Sequence, residues 1–373
     1  MVPEQEIQWI AAVTAAACAL PGVFLVLRRM ALMSDAISHA ILLGIVLAFF
    51  VTENIASPLL VVAAAATGVL TVSLVEVLNR TRLGREDAAI GLVFPALFSI
   101  GVILISRFAG NVHLDVDAVL LGELAFAPFN RLVIGGTDVG PRILWLMVAV
   151  LLLNAGFILA FYKELKLTTF DTALAAALGF APGLIHYLFM TLVSVTAVGA
   201  FDAVGSVLVV ALMIAPPASA YLLTDRLPVM IGLSMGLGVV SALSGYWMSY
   251  LLDVSIAGSM ATMTGMVFLL VFFLAPERGL LAIARRRARQ RWAFAQTMLA
   301  IHLMNHEASP EAAEESREAH LHEHLRWDPE FARRVVRGAE RTGYVTRVAG
   351  ERLALTDRGR VAAREAVGMG AAG

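Results

Sequence analysis

Charge and cysteine are both scarce in this sequence. Of 373 residues, 15% are charged and 59% hydrophobic, and the mean hydropathy is +0.79. A protein folded in water must cover itself largely with polar groups, so this balance excludes an ordinary soluble globule and makes lipid part of the solvent. The formal net charge of -1, from 28 Lys and Arg against 29 Asp and Glu, excludes a bulk attraction to nucleic acid. A single cysteine, Cys18, excludes an internal disulfide and any CxxC redox or zinc motif. No G-x-x-x-x-G-K-[ST] run occurs, so a phosphate-binding loop of the usual kind is missing. The first eight residues lack the basic region of a secretory leader, and the first apolar run is expected to be kept as a span.

What is there is a series of long apolar runs. A spanning helix needs about 20 mostly apolar residues, and nine stretches qualify: 8-27, 36-52, 57-79, 88-106, 142-162, 183-199, 203-223, 228-251 and 257-275. Arg28, Arg29, Arg80, Arg82, Arg85, Lys163, Lys166, Arg226 and Arg278 fall on one side of this series, whereas the loops 53-56, 200-202 and 252-256 contain no basic residue. The positive-inside rule makes the first side cytoplasmic, with the N-terminus outside and the C-terminal tail inside. The stretch 107-141 is hard to count, because it is long, carries Arg107 and Arg131 with Arg142 just beyond, and contains the apolar patch Ala118 to Leu124 that is able to re-enter the membrane, so eight or ten spans are the alternatives. Glu53, Asp115, Asp117, Glu123, Asp138, Asp202 and Asp253 give the expected outer loops an acidic cast that would concentrate cations. Gly232 and Gly236, four apart, are expected to let two helices approach closely.

One spanning segment carries chemistry. After Arg28 and Arg29 the sequence runs through Ser34, Asp35, Ser38 and His39 into an apolar helix. Asp35 and His39 are four apart and so share a helix face. An ionised group at mid-membrane costs roughly 2.5 to 3.5 kcal/mol on insertion scales, so one kept there usually has a partner or a task. A carboxylate and an imidazole without thiolate suit manganese, ferrous iron or zinc and disfavour cuprous copper. Two protein ligands form a weak site, which suits an ion that must leave again. The alternative is that Asp35 caps the helix and His39 merely hydrogen-bonds within the bundle.

The run from Arg28 to Ala40 closely resembles the first signature of the manganese/zinc/iron-chelate permease family of ABC importers. Further stretches match that family in order: Glu86-Asp87 with Ile90-Gly91, Leu121-Gly122-Glu123 with leucine in place of an aromatic residue, Lys163 to Gly179, Val204-Gly205 to Pro216, and Phe273 to Gly279. The resemblance spans about residues 10 to 282. It implies an all-α polytopic membrane protein of about nine transmembrane helices and a permease subunit that is not itself an enzyme. It implies a metal path through Asp35 and His39, and a surface contacting the ATPase formed by Lys163, Glu164, Leu165, Phe170, Asp171, Leu174, Ala175 and Gly179. Read from the residues alone, Thr168 or Thr169 starts a short amphipathic helix there, with Phe170, Leu174 and Leu178 on one face, which Gly179 and Pro182 end. The implied partners are a cytoplasmic ATP-binding subunit, an extracytoplasmic metal-binding protein and a second permease subunit, identical or paralogous, in a bacterial plasma membrane. No cofactor is expected to be bound permanently; the divalent metal is cargo, with manganese preferred and zinc or iron as alternatives.

The last quarter changes character. Beyond a permease domain at 1-280, residues 281-307 bring Arg285, Arg286, Arg287, Arg289 and Arg291 into a basic amphipathic helix and linker. Residues 308-373 are expected to form a small cytoplasmic winged-helix-like α+β tail, with a helix from about 319, a helix over 329-341, a hairpin over 343-356 and a last helix from Asp357. DNA binding is not expected of a module tethered to a membrane. His320, His322 and His324 could hold a regulatory metal, although residues at i, i+2 and i+4 do not all share one helix face, and an ordinary polar segment is the alternative. A rival reading of the whole chain is a membrane-bound metal-sensing regulator that does not transport.

Overall fold

The computed structural model describes residues 3-53, 58-81, 86-108, 124-310, 312-318, 320-321, 325-348 and 352-370. The chain divides into two compact units, Met1–Gly279 and Leu280–Gly373. The first is built of helices α1 (Pro3–Leu27), α2 (Ala31–Thr52), α3 (Pro58–Arg80), α4 (Glu86–Phe108), α5 (Arg142–Ala160), α6 (Tyr162–Phe170), α7 (Thr172–Ala177), α8 (Pro182–Leu223), α9 (Leu227–Leu252) and α10 (Ile256–Leu274). Among the described residues, nine segments are long and apolar enough to cross a membrane.

Eight helices supply those nine spans because α8 holds two. At about 1.5 Å per residue its 42 residues would reach about 63 Å, twice the hydrocarbon thickness. Gly205 breaks the run at φ +78°, a conformation closed to side chains, and separates Pro182–Phe201 from Ser206–Leu223. The sequence places a loop at 200-202; instead the helix runs on through Phe201 and the break comes at the glycine.

Helix α1 is apolar on all faces and therefore sits inside, packed by α5, α8 and α9. A buried amide fastens this centre: Asn154 on α5 donates to the Ala17 carbonyl and to the Thr196 hydroxyl on α8, each at 2.9 Å. Close packing falls at Gly22, Gly44 and Gly245, where a β-carbon would strike the backbone of Met213, Ala63 and Met260. The expected Gly232 and Gly236 pair has open space around it instead, so those glycines bring no helices of this chain together. The outer helices keep large apolar side chains exposed, among them Ile103, Leu152, Leu159, Leu251 and Leu270, a surface that suits lipid or another subunit.

Two contacts sort the helix ends. Arg28, just after α1, donates to Thr168 (3.0 Å) and Thr169 (3.1 Å) on α6, which brings the ends of α1 and α5 to one side. On the other side, Glu6 near the start of α1 pairs at 2.7 Å with Arg131. Arg131 opens a hairpin, β1 (Arg131–Ile134) and β2 (Thr137–Pro141), turned by Gly135 and Gly136 at positive φ. This hairpin was not anticipated, and the expected re-entrant patch at 118-124 lies, but for Leu124, outside the described residues.

The second unit comprises α11 (Leu280–His306), α12 (Ala312–Glu315), α13 (Pro329–Thr342), the antiparallel strands β3 (Val345–Val348) and β4 (Arg352–Leu355), and α14 (Asp357–Gly370). Leu299 and Leu303 of α11 enter one core with Val335, Val336, Leu353 and Leu355. The apolar side of α11 over 295-303 is thus taken up by its own unit. The second helix, the hairpin and the last helix occur as expected; a complete winged helix is not established, because the expected leading helix runs into residues 322-324, outside the described set.

Candidate metal path and coupling segment

The turn after α1 sets the register of α2. Arg29 adopts φ +60°, the Met30 amide bonds back to Leu25, and α2 begins at Ala31 with Met30 as its cap residue and no side-chain capping bond. Asp35 therefore lies a full turn inside the helix and does not cap it. Ser34 and Ser38 are buried and spend their hydroxyls on the carbonyls of Ala31 and Ser34, both at 2.8 Å.

Asp35 and His39 face each other, with Oδ1 and Nε2 3.4 Å apart. Two donors that each sit about 2.1 Å from one ion end up about 3.0 to 3.4 Å apart at octahedral or tetrahedral angles, so this spacing fits shared ligation. The side chains are 40% and 26% exposed, which leaves the pair open to further ligands. The His39 ring lies 5.9 Å from that of Phe94 and 5.8 Å from that of Phe98, both on α4, so its aromatic neighbours help fix its orientation.

The segment 162-180 is not one short helix but two. Asp171 lies between them and caps α7, accepting from the Leu174 amide at 2.8 Å. The expected caps, Thr168 and Thr169, serve otherwise: Thr168 bonds back to the Glu164 carbonyl at 2.8 Å, and both hydroxyls accept from Arg28. A carboxylate outcompetes a hydroxyl for the amides of a helix start, and the sequence offered both. Leu165 and Ala175 are fully buried and anchor the two helices, Gly179 closes the segment at φ +86°, and Phe170, Leu174 and Leu178 are left exposed with Lys163. Burial pulls the Arg28 guanidinium down to about 10, still cationic at neutral pH, and it lies 4.9 Å over the Phe189 ring. Arg28 thus joins the end of α1, six residues before Ser34, directly to the 162-180 segment. In the sequence Arg28 stands out as a charge at a helix end and as the start of the family-like run, with nothing to show this tether.

The sequence pattern of the ABC 3 transport family matches residues 5–275. The chain belongs to the ABC 3 transport family. As a member it is a multi-span permease of an ABC transporter and resides in a cell membrane. The zinc transport system membrane protein TroD of Treponema pallidum is 48% identical over 354 residues, 95% of this chain and 96% of its own length. The manganese transport system membrane protein MntD of Bacillus subtilis is 49% identical over 264 residues, 71% of this chain and 89% of its own. Among solved structures, PsaBC from Streptococcus pneumoniae in complex with Fab is similar with a TM-score of 0.63 at 29% identity, covering 76% of this chain and 96% of that one. The similarity to TroD extends through the second unit, whereas that to MntD is of a length the first unit alone accounts for.

Of the suggested tail histidines, His320 lies 3.6 Å from a Glu314 carboxylate oxygen, and His322 and His324 lie outside the described residues.

Proposed function

We propose that this ABC 3 family chain is the permease subunit of an ATP-driven importer of a divalent transition metal, with manganese as its cargo and Asp35 and His39 as ligands on the path. The observation that carries the reading is the acid and imidazole 3.4 Å apart, one turn inside a spanning helix. A hard carboxylate oxygen with one imidazole and no thiolate favours manganese, and two protein ligands let the ion go. Zinc is the second reading, because the relative whose similarity extends through the second unit is named for zinc transport.

The chain carries no phosphate loop, so ATP is hydrolysed by a separate subunit. That subunit docks on the exposed face of Phe170, Leu174 and Leu178, with Lys163, Glu164 and Asp171 around it. Leu165 and Ala175 hold this element to the bundle, Gly179 ends it, and Arg28 passes its displacement to the start of α2. An extracytoplasmic metal-binding protein delivers the ion, and a second permease subunit, a copy or a paralogue, completes the conduit by alternating access. The basic residues at the helix ends joined by Arg28 make that side cytoplasmic, with the N-terminus outside and the tail inside. The tail, winged-helix-like in its helix, hairpin, helix order, acts as a regulatory or interaction module, and His320, His322 and His324 are candidate contributors.

The test is competitive metal uptake in cells expressing the assembled complex. Manganese accumulation should depend on the co-expressed ATPase and resist competition by zinc. Asp35→Asn and His39→Ala should each abolish uptake while the protein still reaches the membrane. Normal accumulation by both variants would overturn the reading.

A further inference from the structure

The second unit contains a cluster that neither the sequence reading nor the transport path uses. Helix α11 ends at His306, and the chain reverses through a turn in which the Ser309 amide and hydroxyl both bond to the His306 carbonyl, at 3.1 and 3.0 Å. This reversal lays α12 back along α11 and delivers Glu315 to the face carrying His302 and His306. Those histidines are four apart with ring centroids at 4.8 Å, and one donor atom from each of His302, His306 and Glu315 lies within 4.8 Å of the others. His302 Nε2 and a Glu315 carboxylate oxygen are 3.5 Å apart.

Burial separates this cluster from a chance meeting of surface groups. His302 and Glu315 keep only 8% and 7% of their side-chain surface, so the carboxylate and imidazole donors that face each other here are held largely out of water, at fixed positions. His306 is less buried and borders a cavity of about 170 Å³ whose walls include Glu307, Ala312 and Ser316. Glu307, beside it, is already paired with Arg360 at 2.6 Å. The arrangement has two imidazoles and a carboxylate converging from inside, with an opening on the third side.

We propose that His302, His306 and Glu315 form a binding site for a divalent first-row transition ion, with water from the cavity in the remaining position. Two nitrogens and one oxygen with an open position suit zinc, ferrous iron or manganese. The ion would pin α12 to α11. The segment that follows α12 is hydrogen-bonded to β4, since the Leu353 amide bonds to the Ser316 carbonyl at 2.8 Å and Arg317 forms an antiparallel backbone bridge with Arg352. Occupancy is thereby read out in the hairpin, so the site can report cytoplasmic metal independently of the metal in transit.

Cobalt(II) absorption of the full-length protein in detergent tests this, because cobalt shows visible bands whose intensity reports coordination number. Wild type should bind one cobalt in a site that zinc displaces. His306→Gln and Glu315→Gln should weaken this site at least about tenfold. The double variant Asp35→Asn with His39→Ala should keep it, which separates it from the transport pair, and so should His320→Gln. Hydrogen exchange of residues 312-318 and 352-355 should slow on metal addition in wild type and not in Glu315→Gln, while exchange of apo Glu315→Gln at 329-342 should match apo wild type, showing that the variant is folded. A cobalt spectrum untouched by His306→Gln and Glu315→Gln, or lost with His320→Gln instead, overturns the proposal.

Discussion

The two units of this chain are held together by different physics. In the first, the apolar surface faces outward as well as inward, and helices meet where a glycine lets backbones touch, as at Gly22 against Met213 and Gly245 against Met260. Helices α2, α5 and α9 start without a side-chain cap. In the second unit, α13 is amphipathic, starts on an Asp328 cap that accepts from Glu330 and Phe331, and ends on Gly343 at φ +72°. Ion pairs such as Arg347 with Glu318 and Glu340 cover its outside. Lipid makes main-chain bonding within the helix compulsory, so a spanning helix needs no cap to persist, and shape decides who packs against whom. In water a short helix persists through its caps and one buried face.

The sharpest way to break this contrast is to ask which unit uptake needs. Asp35→Asn should reduce metal uptake at least a hundredfold, whereas ending the chain at Gly279 should leave uptake within several-fold of wild type. Complete loss of uptake on truncation, at normal membrane levels, would mean the units do not separate functionally. Packing comes next. Gly245→Leu places a side chain against the Met260 backbone and should remove folded protein from the membrane, while Gly232→Leu, with open space around it, should be made at wild-type levels; size-exclusion of detergent extracts distinguishes them.

A smaller effect is expected inside the second unit. Leu299→Ala empties a fully buried position and should destabilise that unit by about 2 to 5 kcal/mol, read by hydrogen exchange in α13, while uptake persists. The smallest effect is electrostatic. Arg360 holds the Glu307 carboxyl below its ordinary value of 4.5. A group depressed by folding stabilises the fold at pH above its unfolded value, and that contribution disappears as pH falls through the folded one. Protection of α14 should therefore drop between about pH 5 and pH 3 in wild type and drop less in Glu307→Gln, by much less than Leu299→Ala costs because the pair is solvent-exposed.

The elements readable from sequence are those whose cause is local. Spans announce themselves through runs of about 20 apolar residues, and the β3 and β4 hairpin through the alternation before and after Gly350. The Gly135-Gly136 turn carried a hairpin signal that the surrounding apolar count obscured. The Asp35 and His39 pair was legible because four-residue spacing on a helix needs no other element. The Asp171 cap is equally local, an aspartate accepting from the amide three residues on, but the neighbouring Thr168 and Thr169 masked it. Arg28 as a tether and the meeting of Glu315 with His302 were not legible, since each depends on which distant segment arrives.

By itself the sequence determined where the nine long apolar runs lie, the family, and the placing of an acid and a histidine on one helical face, because helix periodicity and lipid solubility act residue by residue. Only the tertiary structure decided that Gly205 rather than a loop divides α8, that Gly232 and Gly236 meet no helix of this chain, and that α11 shares a core with the tail. Those outcomes depend on shape and chain reversal across tens of residues, and no local pattern encodes them.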